Sequence, residues 1–207
     1  GPASGHDSAK RFTRRRLLEG SALLSAAAFG LPGGWRPAGS DRIRIGVIGC
    51  GGRGIGAALD CLHSSEGIDV AALGDLFADR LAGGLARLEA EHKKDAEAGK
   101  GGWLKVAPEC RFTGFEAYLG VLGAPVDLVI LATPPHFRPL HFEAAVKAGK
   151  HVFMEKPVAV DPCGVRRVLA AADAAKAKGL AVGAGTQRRH QAPYREILAR
   201  VRAGRPE

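Results

Sequence analysis

Apolar runs alternate with amphipathic stretches along the chain from residue 42 onward. The runs predict buried strands over residues 43–48, 68–73, 111–112, 126–132, 151–154 and 180–184. Between them, apolar residues recur at helical spacing, which predicts helices over about 55–62, 81–98, 115–122, 139–148, 162–178 and 194–202. This alternation predicts an α/β fold, a doubly wound parallel sheet with right-handed crossovers.

Single residues predict where two of these helices begin and end. Gly149 is expected to close one helix as a left-handed cap. Asp161 is expected to cap the next, which has Pro162 in its first position and stops at Gly179. This second helix carries an apolar stripe that we expect to pack on the sheet: Val165, Val168, Leu169, Ala172 and Ala175.

A glycine-rich turn, Gly49-Cys50-Gly51-Gly52-Arg53-Gly54, joins the first strand to the first helix. In a dinucleotide-binding turn the first glycine permits a tight bend and the second lets the backbone approach a pyrophosphate. The third lets helix and strand pack closely. The helix N terminus offers free N–H groups and a positive dipole end to the phosphates. The turn therefore predicts a dinucleotide site that includes Gly49, Gly51, Gly52 and Gly54.

Asp75 follows the second predicted strand, 21 residues after Gly54. A carboxylate at this distance accepts hydrogen bonds from the ribose hydroxyls, which favours NAD because a 2′-phosphate would meet like charge. Arg53 softens this preference if it pairs with a phosphate. We therefore predict NAD as the cofactor, with NADP possible.

Two further segments follow buried strands, at the sheet edge where open α/β folds bind ligands. Thr133-Pro134-Pro135-His136 follows the fourth strand, where the prolines end the ladder and fix a loop. Glu155-Lys156-Pro157 follows the fifth strand. Both segments are candidate parts of the site.

The net charge of +9 is unevenly distributed. Residues 1–40 carry six Lys/Arg and two acids, residues 188–207 carry the same numbers, and the stretch between them is nearly neutral. We therefore predict no nucleic-acid partner. The four cysteines show no metal-ligand spacing, and we expect them to be small buried or half-buried residues. Glu91, His92 and Asp95 are interpreted as solvated charge, with no metal site predicted.

Residues 1–40 are interpreted as a leader and linker. Thr13-Arg14-Arg15-Arg16-Leu17-Leu18 precedes a weakly apolar stretch and then a Pro/Gly-rich segment. This order resembles a twin-arginine export signal. The alternative is a basic amphipathic N-terminal helix. The export reading predicts a periplasmic or secreted protein that the export machinery carries folded, with its nucleotide already loaded.

The motifs together resemble the N-terminal half of the Gfo/Idh/MocA oxidoreductases. The resemblance covers about residues 42–202 and rests on the glycine turn, Asp75, 132–136, 148–152 and Glu155-Lys156-Pro157 in this order. It implies hydride transfer between a nicotinamide cofactor and a sugar, inositol or related polyol.

The resemblance also implies roles for single residues. Lys156 matches the family lysine beside the nicotinamide and the reacting hydroxyl, where an ammonium donates to the substrate oxygen. Glu155 either orients Lys156 or forms a structural pair. Thr133, Pro134 and His136 match the loop along the dinucleotide, and His136 is interpreted as packing there rather than as catalytic.

Members of the family continue into a second α+β domain that walls the substrate pocket, supplies a catalytic histidine and forms the oligomer interface. We therefore expect residues 41–187 to be the dinucleotide-binding domain and 188–207 to lead into a domain missing from this chain. Substrate identity and homo-oligomer formation would depend on that domain. Two alternatives remain open, an NAD-dependent glycosidase of the same superfamily and a non-catalytic dinucleotide-binding module.

Overall fold

Six parallel strands form one sheet in the computed structural model, which describes residues 41–204 except for the side chain of residue 187. The strands are β1 Ile43–Ile48, β2 Ile68–Asp75, β3 Arg111–Thr113, β4 Leu128–Leu131, β5 His151–Glu155 and β6 Val182–Gly185. Their order across the sheet is β3-β2-β1-β4-β5-β6. This is the order of the Rossmann fold, so the predicted doubly wound parallel sheet is confirmed.

Six helices connect or follow the strands, close to the predicted positions. They are α1 Gly52–Ser64, α2 Ala78–Glu97, α3 Ala117–Gly123, α4 Arg138–Lys147, α5 Pro162–Ala177 and α6 Ala192–Arg202. Short 3₁₀ turns cover Pro108–Cys110 and Gln187–Arg189. None of the helices within 41–204 is long and apolar enough to cross a membrane.

The sheet has a hydrophobic cluster on each face, because apolar residues that alternate along a strand point to opposite sides. Ile45 and Val47 of β1 pack with residues of α1 and α2. Ile48, at the end of the same strand, packs with Val121 of α3 and Phe142 of α4 in the other cluster. Helices on both faces leave the carboxyl ends of the strands as the edge where loops can form a site.

The predicted helix ends are confirmed, but one predicted face is partly wrong. Gly149 and Gly179 have φ values of 70° and 68°, and the Gly164 N–H donates to Asp161 Oδ1 at 2.6 Å. The buried line of α5 runs through Gly164, Val168, Ala171 and Ala175. Val165 and Leu169 are exposed. They lie one position around the helix from that line, which turns them about 100° away from the sheet.

Residues 99–106 do more than end α2. Leu104 forms a parallel bridge with Val70, and the buried Trp103 donates from Nε1 to Asp95 Oδ2 at 2.9 Å. The Gly102 N–H donates to His92 Nε2 at 2.8 Å. The interpretation of His92 and Asp95 as solvated charge is therefore wrong, since both side chains hold the chain that follows α2.

The remaining predictions about chain organisation concern its two ends. The predicted leader, residues 1–40, and residues 205–207 lie outside the described part. Every residue of α6 is exposed, and its apolar positions Tyr194, Ile197, Leu198 and Val201 lie on the surface of the described structure.

Candidate functional site

A cleft of about 310 Å³ opens at the carboxyl edge of the sheet. Its lining includes Gly49 and Gly51 of the glycine turn, Asp75 at the end of β2, and Thr133 with Pro134 after β4. The crossovers from β1 and β4 leave the sheet in opposite directions, and such a switch point is where open α/β sheets bind ligands. The structure therefore brings together three segments that the sequence placed in one site.

The glycine turn is tightly packed at its ends and open in its middle. Gly49 has φ 98°, and a Cβ there would lie 2.8 Å from the Ala132 carbonyl carbon. A Cβ on Gly54 would lie 1.9 Å from Gly49 O. A Cβ on Gly51 or Gly52 would meet nothing within 4 Å. Gly49 and Gly54 are thus closely packed and the backbone between them is bare, which is the geometry expected of a turn that receives a pyrophosphate.

The N terminus of α1 lies in this turn and has no side-chain cap. Its first-turn N–H groups therefore receive no acceptor from a capping side chain. Backbone donors at the positive end of a helix dipole favour an anion. This observation on the donor set fits a dinucleotide pyrophosphate.

Asp75 is fixed by the backbone of both segments beside it. The Cys50 N–H donates to Oδ2 at 2.6 Å, and the Phe77 N–H donates to Oδ1 at 3.0 Å. Each carboxylate oxygen keeps a further lone pair. The carboxylate is thus held at the cleft with acceptor capacity for ribose hydroxyls.

Several residues that line the cleft were not predicted as site residues. Phe77, Phe115 and Tyr118 form apolar walls, and Arg80 lies in the first turn of α2. Arg80 also lines a neighbouring cleft of about 320 Å³ between the glycine turn and α2. The sequence pattern near residues 76–80 and 115–118 did not indicate that these side chains line a common cleft. Whether they do depends on how α2 and α3 are placed on the sheet.

His141, rather than the predicted His136, lines the cleft. Its Nδ1 lies 3.1 Å from Thr133 Oγ1, and its ring stacks on Tyr118 with centroids 4.4 Å apart. Burial, reinforced by the nearby Arg138 charge, lowers the pKa of His141 to about 4. His136 is exposed and packs edge-on against Phe137, so its side chain lies outside the cleft.

Arg138 is a buried residue that the sequence analysis missed. It is 2% exposed, and its two terminal nitrogens donate to the carbonyls of Thr133 and Pro157. Its Nε has no partner among the described residues. Burial lowers the pKa of the guanidinium, and nearby Glu155 opposes that shift. Arg138 therefore joins the segment after β4 to the segment after β5.

Lys156 lies at the same edge of the sheet, immediately after β5. Its side chain is exposed, lines neither cleft, and has no hydrogen bond or ion pair recorded among residues 41–204. The Lys156–Pro157 peptide bond is cis. Glu155 is buried and pairs with Arg53 across 2.7 Å, and no pair with Lys156 forms. Of the two roles left open for Glu155, the structure shows the pair.

Three of the four cysteines are buried or half-buried, as expected for small packed residues. Cys50 is buried, and burial together with Asp75 raises its pKa to about 12, so the thiol packs in the turn as expected. Cys163 is exposed, against the expectation for it. Ligand atoms of His63, Glu91 and Asp95 lie within 4.8 Å of one another among the described residues, so this group contains His63 and not His92. The Nε2 atom of His92 instead accepts a hydrogen bond from the Gly102 N–H.

Comparison with known families identifies the chain. The model of the Gfo/Idh/MocA oxidoreductase family, with NAD-binding Rossmann fold, matches residues 43–184. The chain belongs to this family. It carries the NAD-binding Rossmann domain, and the matched stretch includes the glycine turn, Asp75 and the segments after β4 and β5.

Curated relatives of this Gfo/Idh/MocA chain fall in two groups. An inositol 2-dehydrogenase of Pseudomonas fluorescens is 32% identical over 168 residues, 79% of this chain and 42% of that protein. A glycosyl hydrolase family 109 protein of Solibacter usitatus is 35% identical over 123 residues, 58% of this chain and 26% of that protein. The chain spans less than half the length of these relatives.

Solved structures share the fold. A 3-ketoreductase from Actinomadura kijaniata, in complex with NADP and TDP-benzene, has a TM-score of 0.53 and 26% identity, covering 79% of this chain and 43% of that one. Apo scyllo-inositol dehydrogenase from Lactobacillus casei has a TM-score of 0.56 and 23% identity, covering 80% and 42%. The second similarity concerns the fold alone.

Proposed function

We propose that this chain is the cofactor-binding part of an NAD(P)-dependent oxidoreductase that acts on an inositol, a sugar or a related polyol. The observation that carries the proposal is the cleft at the switch point. It joins the open glycine turn, Asp75 and the segment after β4, and Lys156 follows the neighbouring strand. The inositol 2-dehydrogenase relatives match about four fifths of the chain and supply the substrate class.

Some residues of this chain would bind the cofactor, and Lys156 would donate a proton to the substrate. Gly51, Gly52 and the start of α1 would hold the pyrophosphate, and Asp75 would accept from ribose hydroxyls. A bound nicotinamide would take up or supply the hydride. Lys156, whose ammonium has no recorded partner, would donate to the substrate oxygen and protonate it when a carbonyl is reduced.

The test is a spectrophotometric assay of the natural gene product with inositol isomers and sugars, in which the absorbance of NADH is followed directly. We expect net NADH formation with at least one polyol. Lys156→Met should lower kcat by about 100-fold or more while NADH still binds. Unchanged turnover in Lys156→Met would remove the lysine from the reaction.

The second candidate is a glycosidase that uses bound NAD for transient oxidation. It is supported by the 35% identity to a glycosyl hydrolase family 109 protein, although that match covers a smaller share of the chain. The two candidates differ in net redox change. Release of nitrophenol from an aryl glycoside, without net NADH, would favour the glycosidase over the dehydrogenase. A folded product of the gene that showed neither reaction would favour a non-catalytic binding module.

We also propose that residues 1–40 direct export by the twin-arginine route to the periplasm or beyond. The support is the order of Thr13-Arg14-Arg15-Arg16-Leu17-Leu18 before a weakly apolar stretch. This can be tested by fusing residues 1–40 to a fluorescent protein that is fluorescent in the periplasm only if it is exported folded, and measuring periplasmic fluorescence. Replacing Arg14 and Arg15 by lysine should abolish export, and continued export would contradict the proposal.

A further inference from the structure

The pair between Arg53 and Glu155 links the glycine turn to the segment that carries Lys156. Arg53 lies in the first turn of α1, and its Nε donates to Glu155 Oε1 at 2.7 Å. Glu155 ends β5 and directly precedes Lys156. Because β4 lies between β1 and β5 in the sheet, the pair spans the carboxyl end of β4.

The Glu155 carboxylate occupies a place that the fold leaves open for it. Its side chain is 6% exposed, whereas that of Arg53 is 44% exposed. A Cβ on Gly185 of β6 would lie 2.8 Å from the carboxylate carbon and from both of its oxygens. A larger residue at position 185 would therefore displace the carboxylate. A buried charge needs a partner, and Arg53 supplies it in direct contact.

A second guanidinium acts on the other side of Lys156. Arg138 donates to the carbonyl of Pro157, and its charge interacts with Glu155. The residue before Lys156 is thus held through its side chain, and the residue after it through its backbone. The Lys156 backbone is fixed on both sides, while its exposed ammonium has no recorded partner in the described part of the chain.

We propose that Arg53 is a positioning residue, which acts through Glu155 to hold the Lys156 segment against the glycine turn. This inference rests on the proposed function, because it assumes that a dinucleotide lies along this edge. It differs from the prediction that Arg53 pairs with a phosphate. Arg53 already has its short contact with Glu155, and its other acidic neighbour is Asp60, 3.8 Å from Nη1.

The two roles of Arg53 predict different ligand affinities. NADH contains the nicotinamide that would lie beside Lys156, whereas ADP-ribose keeps the pyrophosphate and both riboses without it. A positioning role predicts that Arg53→Met and Glu155→Gln each weaken NADH binding about tenfold, with the double variant no weaker than either one. ADP-ribose binding should change less than about twofold.

A second readout follows Lys156 itself. Acetylation of the Lys156 ammonium by acetic anhydride, measured by mass spectrometry, should be slowed by saturating NADH in the wild type and not by ADP-ribose. In Arg53→Met this protection should be lost even at saturating NADH. A contribution of the pair to stability alone would lower the unfolding temperature without changing either readout. The matched control is Arg166→Met, which removes an exposed arginine of α5.

The outcomes separate the inference from the function on which it depends. Equal weakening of NADH and ADP-ribose in Arg53→Met, with no effect of Glu155→Gln, would overturn the positioning role and make Arg53 a phosphate ligand. Additive losses in the double variant, or unchanged protection of Lys156, would also overturn it. If the folded wild-type chain bound neither ligand, the proposed function itself would fail and the inference with it.

Discussion

Gly54→Ala is the substitution for which the structure predicts the largest effect on the glycine turn. The new Cβ would lie 1.9 Å from Gly49 O, whereas ordinary contacts begin at 3.4 Å, a deficit of about 1.5 Å. The obstructing atom belongs to the backbone, so a rotamer change cannot relieve the clash. Overpacking of this kind costs about 3 kcal/mol at the upper end of its usual range.

Part of this cost is offset by helix propensity. Alanine is favoured over glycine within a helix by about 1 kcal/mol. A net loss of about 2 kcal/mol follows, which corresponds to a fall of about 4–8 °C in the unfolding temperature of a domain of this size. Because α1 must shift away from the turn, NADH affinity should also fall.

Two other glycines provide matched controls. Gly56 lies within α1, and a Cβ there would meet nothing within 4 Å, so Gly56→Ala should raise the unfolding temperature and leave NADH binding unchanged. Gly51 has φ −70°, which any residue adopts, and a Cβ there also meets nothing. Gly51→Ala should therefore keep its stability but weaken NADH binding, since the methyl group would occupy the approach of the pyrophosphate.

The measurements are thermal unfolding by circular dichroism and NADH titration by fluorescence on the 207-residue chain. A Gly54→Ala variant as stable as the wild type, with unchanged NADH affinity, would refute the packing argument. Unchanged NADH affinity in Gly51→Ala would show that the pyrophosphate does not pass over this residue.

Three further predictions test other parts of the structure. The pKa of His141 is lowered from 6.5 to about 4 in the folded chain. As the pH falls, His141 is therefore protonated in the unfolded chain before it is protonated in the folded one. The contribution of His141 to the free energy of unfolding should therefore be full above about pH 6.5 and fall as the pH approaches 4. Urea unfolding at several pH values should show that the free energy of unfolding of His141→Asn depends less on pH than that of the wild type. Asp75→Ala should relax the preference for NADH over NADPH, measured as the ratio of the two dissociation constants, and an unchanged ratio would remove Asp75 from the ribose site. Asp161→Ala should cost about 1 kcal/mol through loss of the cap on α5, seen as a lower unfolding temperature that Asp161→Ser largely restores.

The sequence determined those features that depend on residues close together along the chain. Apolar runs and helical spacing are set within a few neighbouring residues, so the strands, the helices and their caps could be predicted. The sequence also predicted that the glycine turn and Asp75 belong to one site, because a single βαβ unit fixes the distance between the end of β1 and the end of β2. This local pattern sufficed for the fold and for one half of the site.

Tertiary structure alone decided the contacts between distant segments. Arg53 meets Glu155 only because β1, β4 and β5 are neighbours in the sheet, although the two residues are 102 positions apart. His141 enters the cleft in place of His136 because it lies one turn inside α4, on the side that packs beside Tyr118. Periodicity gives the spacing of side chains along an element, whereas strand order and the rotation of each helix on the sheet decide which of them meet.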